Sequence, residues 1–171
     1  RTIGGAGVEV KALMGPGVDP HAYRQTRSDI VDMTRADATF WHGLYLEAQM
    51  EAFMLDLGTK RPVHAVAESV DTDLLIGSED YENRFDPHIW MDPDLWVKCV
   101  PAVVQALTAL RPNDRELFET NASAFIAEAE ALSVYNRAVL EAVPEPARVL
   151  LTAHDAFGYF GGAYDFEVMG I

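Results

Sequence analysis

Apolar positions along this chain change spacing several times, and each change marks an element. Val8-Glu9-Val10-Lys11-Ala12-Leu13-Met14 alternates and predicts a strand, closed by the turn chemistry of Gly15-Pro16-Gly17. Thr26 or Ser28 can cap a helix from Asp29 to Arg35. Ala38-Thr39-Phe40-Trp41 predicts a short buried strand, broken at Gly43. Leu44, Met50, Phe53, Met54 and Leu57 share one face of a predicted helix from Leu44 to Leu57, and Pro62 to Val66 predicts a third strand. Residues 68–84 are polar and acidic without a period and read as loop. Beyond Pro93, helical spacing returns at Trp96, Val100, Val103, Val104, Leu107 and Leu110. Arg111-Pro112-Asn113-Asp114 stops that helix and starts another, with Pro112 near the first turn. In this one Leu117, Phe118, Phe125, Ile126, Ala129, Leu132, Asn136, Val139, Leu140 and Val143 recur every three or four positions. About 30 residues at ~1.5 Å rise make a rod of roughly 45 Å. Pro144 and Pro146 end it. Arg148 to Thr152 predicts a buried strand, Asp155 can cap a helix from Ala156 to Ala163, and Glu167 to Ile171 begins another strand.

Strand, helix and strand in repetition predict an α/β fold with a largely parallel sheet. The elements after Pro144 are too few to bury a core alone. The long helix is therefore expected to lead into a second domain, mostly absent from this sequence. With 171 residues, 49% of them hydrophobic, the chain is long enough for one domain and part of another. The net charge of −14 argues against nucleic acid and anionic membrane, which need clustered Lys and Arg. No apolar run approaches the roughly 20 residues that span a bilayer. Cys99 is the single cysteine, so no internal disulfide forms. The chain starts at Arg1, without Met or a signal-peptide pattern, so either a segment was removed or this is a fragment.

The candidate chemistry centres on Asp86-Pro87-His88-Ile89-Trp90-Met91-Asp92-Pro93. Two Asp-Pro pairs keep this stretch out of helix, so His88 sits on a stiff extended segment suited to a metal ligand. His21 in Gly17-Val18-Asp19-Pro20-His21 and His154 in Leu151-Thr152-Ala153-His154-Asp155 occupy comparable settings beside extended segments. Open α/β sheets bind ligands outside the carboxyl ends of their strands, where distant loops converge. Imidazole suits zinc and also manganese, iron, copper and nickel. Asp19, Asp86, Asp92 and Asp155 are candidates to fix a ring tautomer from behind.

Other features read more simply. His64 is a surface or strand-end residue, and His42 follows Phe40-Trp41, at most lining the same cleft. Trp90 and Trp96 belong to core or cleft wall. Ser78-Glu79-Asp80-Tyr81-Glu82 is a solvated loop, and Gly4-Gly5-Ala6-Gly7 lacks the downstream Lys-Ser/Thr of a phosphate loop. There is no His-Glu-x-x-His and no Gly-x-Ser-x-Gly. Three imidazoles plus a water would still make an open catalytic zinc site, so a metal-dependent hydrolase stands as the second reading. A structural or adhesive role is a third, which leaves the histidine motifs unexplained.

Taken in order, Gly-Val-Asp-Pro-His-Ala-Tyr at 17–23 with Ser28-Asp29, Asp-Pro-His-Ile-Trp-Met-Asp-Pro at 86–93 and Thr-Ala-His-Asp-Ala-Phe-Gly-Tyr-Phe at 152–160 resemble the substrate-binding proteins of zinc and manganese ABC importers. His42-Gly43-Leu44-Tyr45-Leu46-Glu47 resembles a further segment of that family. The resemblance implies a two-lobed α/β solute-binding fold with parallel sheets and a long linking helix. Residues 1–111 would form the first lobe, 112–143 the linking helix and 144–171 the start of a truncated second lobe. It implies that the family's first strand and helix precede Arg1 and that the chain is an internal fragment. It implies metal ligands at His21, His88 and His154, with a fourth, an Asp, beyond Ile171. It also implies a metal-binding protein rather than an enzyme, a monomer when full length, serving the membrane permease of an ABC importer from the periplasm or a membrane anchor. Three nitrogens favour zinc over manganese. The His-rich loop of many zinc members is missing, since residues 77–85 hold no His.

Overall fold

A computed structural model of the chain describes residues 1–78 and 81–170. Glu79 and Asp80 of the acidic run, and Ile171 of the last predicted strand, lie outside the described residues. The fold is α/β, with two parallel strand pairs and one long helix. In the first pair β1 (Thr39–Trp41) runs beside β2 (Val63–Ala65), with Trp41 opposite Ala65. In the second, β3 (Val149–Thr152) runs beside β4 (Glu167–Gly170), with Thr152 opposite Gly170. Parallel neighbours need a crossover, and each pair has one carrying a helix: α2 (Glu51–Gly58) in the first, α6 (Gly158–Tyr164) in the second.

The core forms where the sequence places its apolar stripes. Met33 of α1 (Arg27–Arg35) meets Trp41, Met50, Met54 and Leu57 against the first strand pair. Downstream of His88 come α3 (Pro93–Trp96) and α4 (Val100–Leu110). Val100 packs with Ile3 and with Phe118 and Ala122 of the long helix α5 (Arg115–Leu140). A short 3-10 turn at Pro112–Asp114 leads into α5, which then runs unbroken for 26 residues, roughly 39 Å. It is bonded to both parts of the chain. Ser133 donates to Asp94 of α3 at 2.7 Å, and Asn136 donates to the Tyr164 hydroxyl of α6 at 3.1 Å. Leu117, Leu132 and Val139, assigned inward by their spacing, are exposed because they flank the buried stripe of Phe118, Ala122, Ala129 and Ser133. Among the described residues no helix is long and apolar enough to cross a membrane.

Three local expectations are corrected. Val8–Met14 is not a strand: no backbone ladder reaches it among the described residues, and Val10 is exposed. Alternation marks a strand only where a neighbour accepts its hydrogen bonds, and here the segment lines an open cleft of about 1170 Å³ and meets the core through the Leu13 side chain. The helix predicted from Leu44 begins only at Glu51, because Gly43, Leu44 and Tyr45 take φ of 82°, 50° and 68°. The Glu47 carboxylate holds this left-handed turn by accepting from the His42 and Gly43 amides at 2.8 and 3.2 Å. Finally, α6 begins at Gly158 without a side-chain cap, and Asp155 is exposed rather than capping it.

Gly43 is required at the turn for two reasons. Its φ disfavours any L side chain, and a Cβ there would stand 2.9 Å from the Ala65 Cβ. Gly43→Ala is expected to cost roughly 1–3 kcal/mol of stability. Chemical denaturation would measure it, and an unchanged midpoint would show that the turn relaxes freely.

Candidate metal centre

Each of the three histidines is fixed by chemistry local to its motif. His21 lies on the loop before α1, where its amide donates to Asp19 Oδ1 at 2.9 Å. The loop is tied down behind it. Thr26 and Asp29 form a reciprocal capping box at the start of α1, and the Tyr23 hydroxyl donates to Asp29 Oδ2 at 2.6 Å. That phenol, with the Thr26 donors, holds the Asp29 carboxyl below its usual range.

His88 is the most buried of the three. It is 5% exposed, precedes a 3-10 turn whose Ile89 is fully buried, and meets the edge of the Trp90 ring at 5.2 Å. Asp86 Oδ1 accepts from the His88 amide at 2.9 Å and from its Nδ1 at 2.6 Å. A carboxylate only accepts, so the proton sits on Nδ1 and Nε2 keeps its lone pair for a ligand. Asp92, the other carboxylate of the motif, caps α3 through the Asp94 amide at 2.9 Å. His154 is exposed on the loop from β3 to α6, where Thr152 Oγ1 accepts from its amide at 3.3 Å and donates to its carbonyl at 2.9 Å.

These loops converge. His21 Nε2 and His88 Nε2 are 3.2 Å apart, and one ligand nitrogen from each of His21, His88 and His154 lies within 4.8 Å of the others. Zinc–nitrogen bonds of ~2.0–2.1 Å in a tetrahedron put nitrogens roughly 3.3 Å apart. The first pair already meets that spacing, and the exposed His154 nitrogen stands within 4.8 Å of both. Burial, with His88 beside it, lowers the His21 pKa, so this ring is also biased to the neutral, ligating form. The large cleft beside β1 is elsewhere and is lined by none of the three.

The remaining histidines stand apart from the cluster. His64 on β2 stacks on Phe40 at 5.3 Å. His42 is buried, stacked on Trp96 at 5.8 Å and edge-on to Trp90 at 5.2 Å, with its Nε2 lacking a hydrogen-bond partner among the described residues. Burial pushes its pKa from 6.5 down to about 4. The unfolded chain takes up that proton near 6.5, while the folded protein refuses it until about 4. Stability of the metal-free protein should therefore fall as pH drops through this window, by up to about 3 kcal/mol from His42. His21 contributes with the same sign. Glu47, whose pKa burial raises, works the opposite way in the carboxylate range. Urea unfolding at several pH values should show a smaller loss for His42→Phe than for the parent; equal slopes would mean His42 titrates normally.

One group near the site carries no signal in the sequence. The Tyr159 hydroxyl of α6 donates to the Asp86 carbonyl at 2.8 Å and accepts from the Ile76 amide at 3.1 Å. Burial lifts its pKa to about 12, so it stays a protonated donor. Nothing in the spacing of the 152–160 motif shows that its phenol reaches back to residues 76 and 86.

The arrangement is a parallel α/β fold whose loops bring three imidazoles together, the His154 loop directly following strand β3. The chain belongs to the family described as the periplasmic zinc-uptake complex component A, whose model matches residues 1–171. It is 40% identical to the zinc-binding protein TroA of Treponema pallidum over 171 residues, 100% of this chain and 55% of that one. It is 37% identical to the manganese-binding lipoprotein MntA of Bacillus subtilis, covering 100% of this chain and 56% of that one. The solved structure of the periplasmic zinc-binding protein TroA from Treponema pallidum matches it with a TM-score of 0.94, over 99% of this chain and 60% of that one. The chain thus spans little more than half the length of the curated relatives it matches.

Proposed function

We propose that this chain belongs to a protein that captures a divalent metal ion, zinc first and manganese as the alternative, and hands it to the membrane permease of an ABC importer. The observation that carries the reading is the convergence of His21, His88 and His154 from loops far apart in the sequence. Asp86 orients His88, and three neutral nitrogens suit zinc. A fourth position remains for water or a carboxylate. On this reading residues 1–111 form the lobe holding His21 and His88, 112–143 the linking helix, and 144–171 the part of the second lobe that brings His154. Relatives that are named as periplasmic proteins or lipoproteins support a place outside the cytoplasm. The hydrolase reading finds no support among relatives named as metal-binding proteins.

Native mass spectrometry of the full-length protein with added zinc or manganese tests the reading. One retained ion per chain is the expected result. Retention of neither metal would overturn it, as would rapid turnover of esters or amides by the zinc-loaded protein.

A further inference from the structure

Tyr159 belongs to α6, yet its ring is only 4% exposed and sits in the core formed by Leu44, Ala67, Val70, Ile89, Leu95 and Cys99. Its hydroxyl bridges Ile76 and Asp86, the residues just outside the antiparallel bridge between Gly77 and Phe85. The Asp86 amide donates to the Ile76 carbonyl at 2.8 Å, so the phenol completes a closed set of backbone bonds around Asp86. That residue's carboxylate is in turn doubly bonded to His88. Gly158 lies against the other carboxylate oxygen: a Cβ there would stand 3.2 Å from Asp86 Oδ2 and 3.5 Å from Ile76 Cδ1. The loop that leads into α6 carries His154.

We propose that Tyr159 is a positioning residue for metal capture, clamping Asp86 so that the direction of the His88 nitrogen depends on the seating of α6. This rests on the three-imidazole reading of the site. One segment then performs two tasks: it brings in His154 and aims His88. Capture of the ion and seating of α6 strengthen each other, because coupling between two equilibria is reciprocal.

Tyr159→Phe in the full-length protein removes the hydroxyl and keeps the ring. Tyr164→Phe is the matched control: this second α6 phenol is 5% exposed, and its hydroxyl accepts from Asn136 at 3.1 Å, with no bond to Asp86. Tyr159→Phe loses two buried hydrogen bonds and Tyr164→Phe one, so both should melt earlier. Only Tyr159→Phe should bind zinc about tenfold more weakly, the lower end of what loss of an outer partner of a metal-bound His costs. Only it should alter the visible ligand-field bands of the cobalt(II)-loaded protein. Gly158→Ala presses on the same carboxylate from the other side and should shift those bands too, which gives a second route if Tyr159→Phe folds poorly. Parent-like affinity and bands in Tyr159→Phe and Gly158→Ala would overturn the clamp. A parent protein that binds neither zinc nor cobalt would instead overturn the site itself, and the clamp with it.

Discussion

His88→Ala is expected to lower zinc affinity by at least about a hundredfold, since loss of a mere outer partner already costs 10–100-fold. The ring is nearly buried, its Nε2 is 3.2 Å from that of His21, and its Nδ1 proton is committed to Asp86. Removing it leaves two imidazoles, one of them exposed on the loop between β3 and α6. Among the described residues it also leaves the Asp86 carboxylate, with a side chain 14% exposed, bonded only to the backbone amide of residue 88. The ion loses a ligand, and the site keeps a part-buried charge without its imidazole partner. Competition against a chelator would measure the change, with circular dichroism to check the fold. His64→Ala, on β2 and outside the cluster, should bind like the parent. A loss below tenfold in His88→Ala would remove it from the ligand set.

Ala129→Pro should cost about 3 kcal/mol or more, from a lost backbone hydrogen bond and a ring clash one turn back. Ala129 is 9% exposed, near the middle of α5. On one side of it, Phe118 and Ala122 pack on Val100; on the other, Ser133 and Asn136 bond to α3 and α6. A kink would set these two groups of contacts against each other. For a chain of this size that cost corresponds to a fall in melting temperature of roughly 6–12 °C. An unchanged melting temperature would mean that α5 is not the rigid spine its packing indicates. Zinc affinity should fall as well, because the kink separates the packing on α4 from the bonds to α3 and α6, the elements downstream of His88 and His154.

Some of this architecture is written in local chemistry alone. Pro112 and Pro144 bracket the long helix because a ring without an amide proton starts a helix well and cannot continue one. Thr26, one of the two caps the sequence offers, starts α1 because a cap needs only neighbouring residues, and the structure completes it with Asp29. Asp-Pro-His-Ile-Trp-Met-Asp-Pro keeps His88 out of helix for the same local reason, so all three gathered histidines were legible as candidates. Tertiary structure decided what depends on a distant neighbour. Val8–Met14 alternates like a strand but has no ladder to join. Leu44 and Tyr45 read as helix, but they belong to the left-handed turn that Glu47 clamps. Four aspartates were equivalent partners on paper, yet only Asp86 meets an imidazole, because only its loop curls back on His88 while Asp92 is taken up by α3. Tyr159 is the furthest case, since a hydroxyl finds its acceptor 73 residues away through packing that no local pattern encodes. Residue type and spacing determine which groups are able to ligate, cap or turn; the free energy of burying their neighbours decides which of them meet.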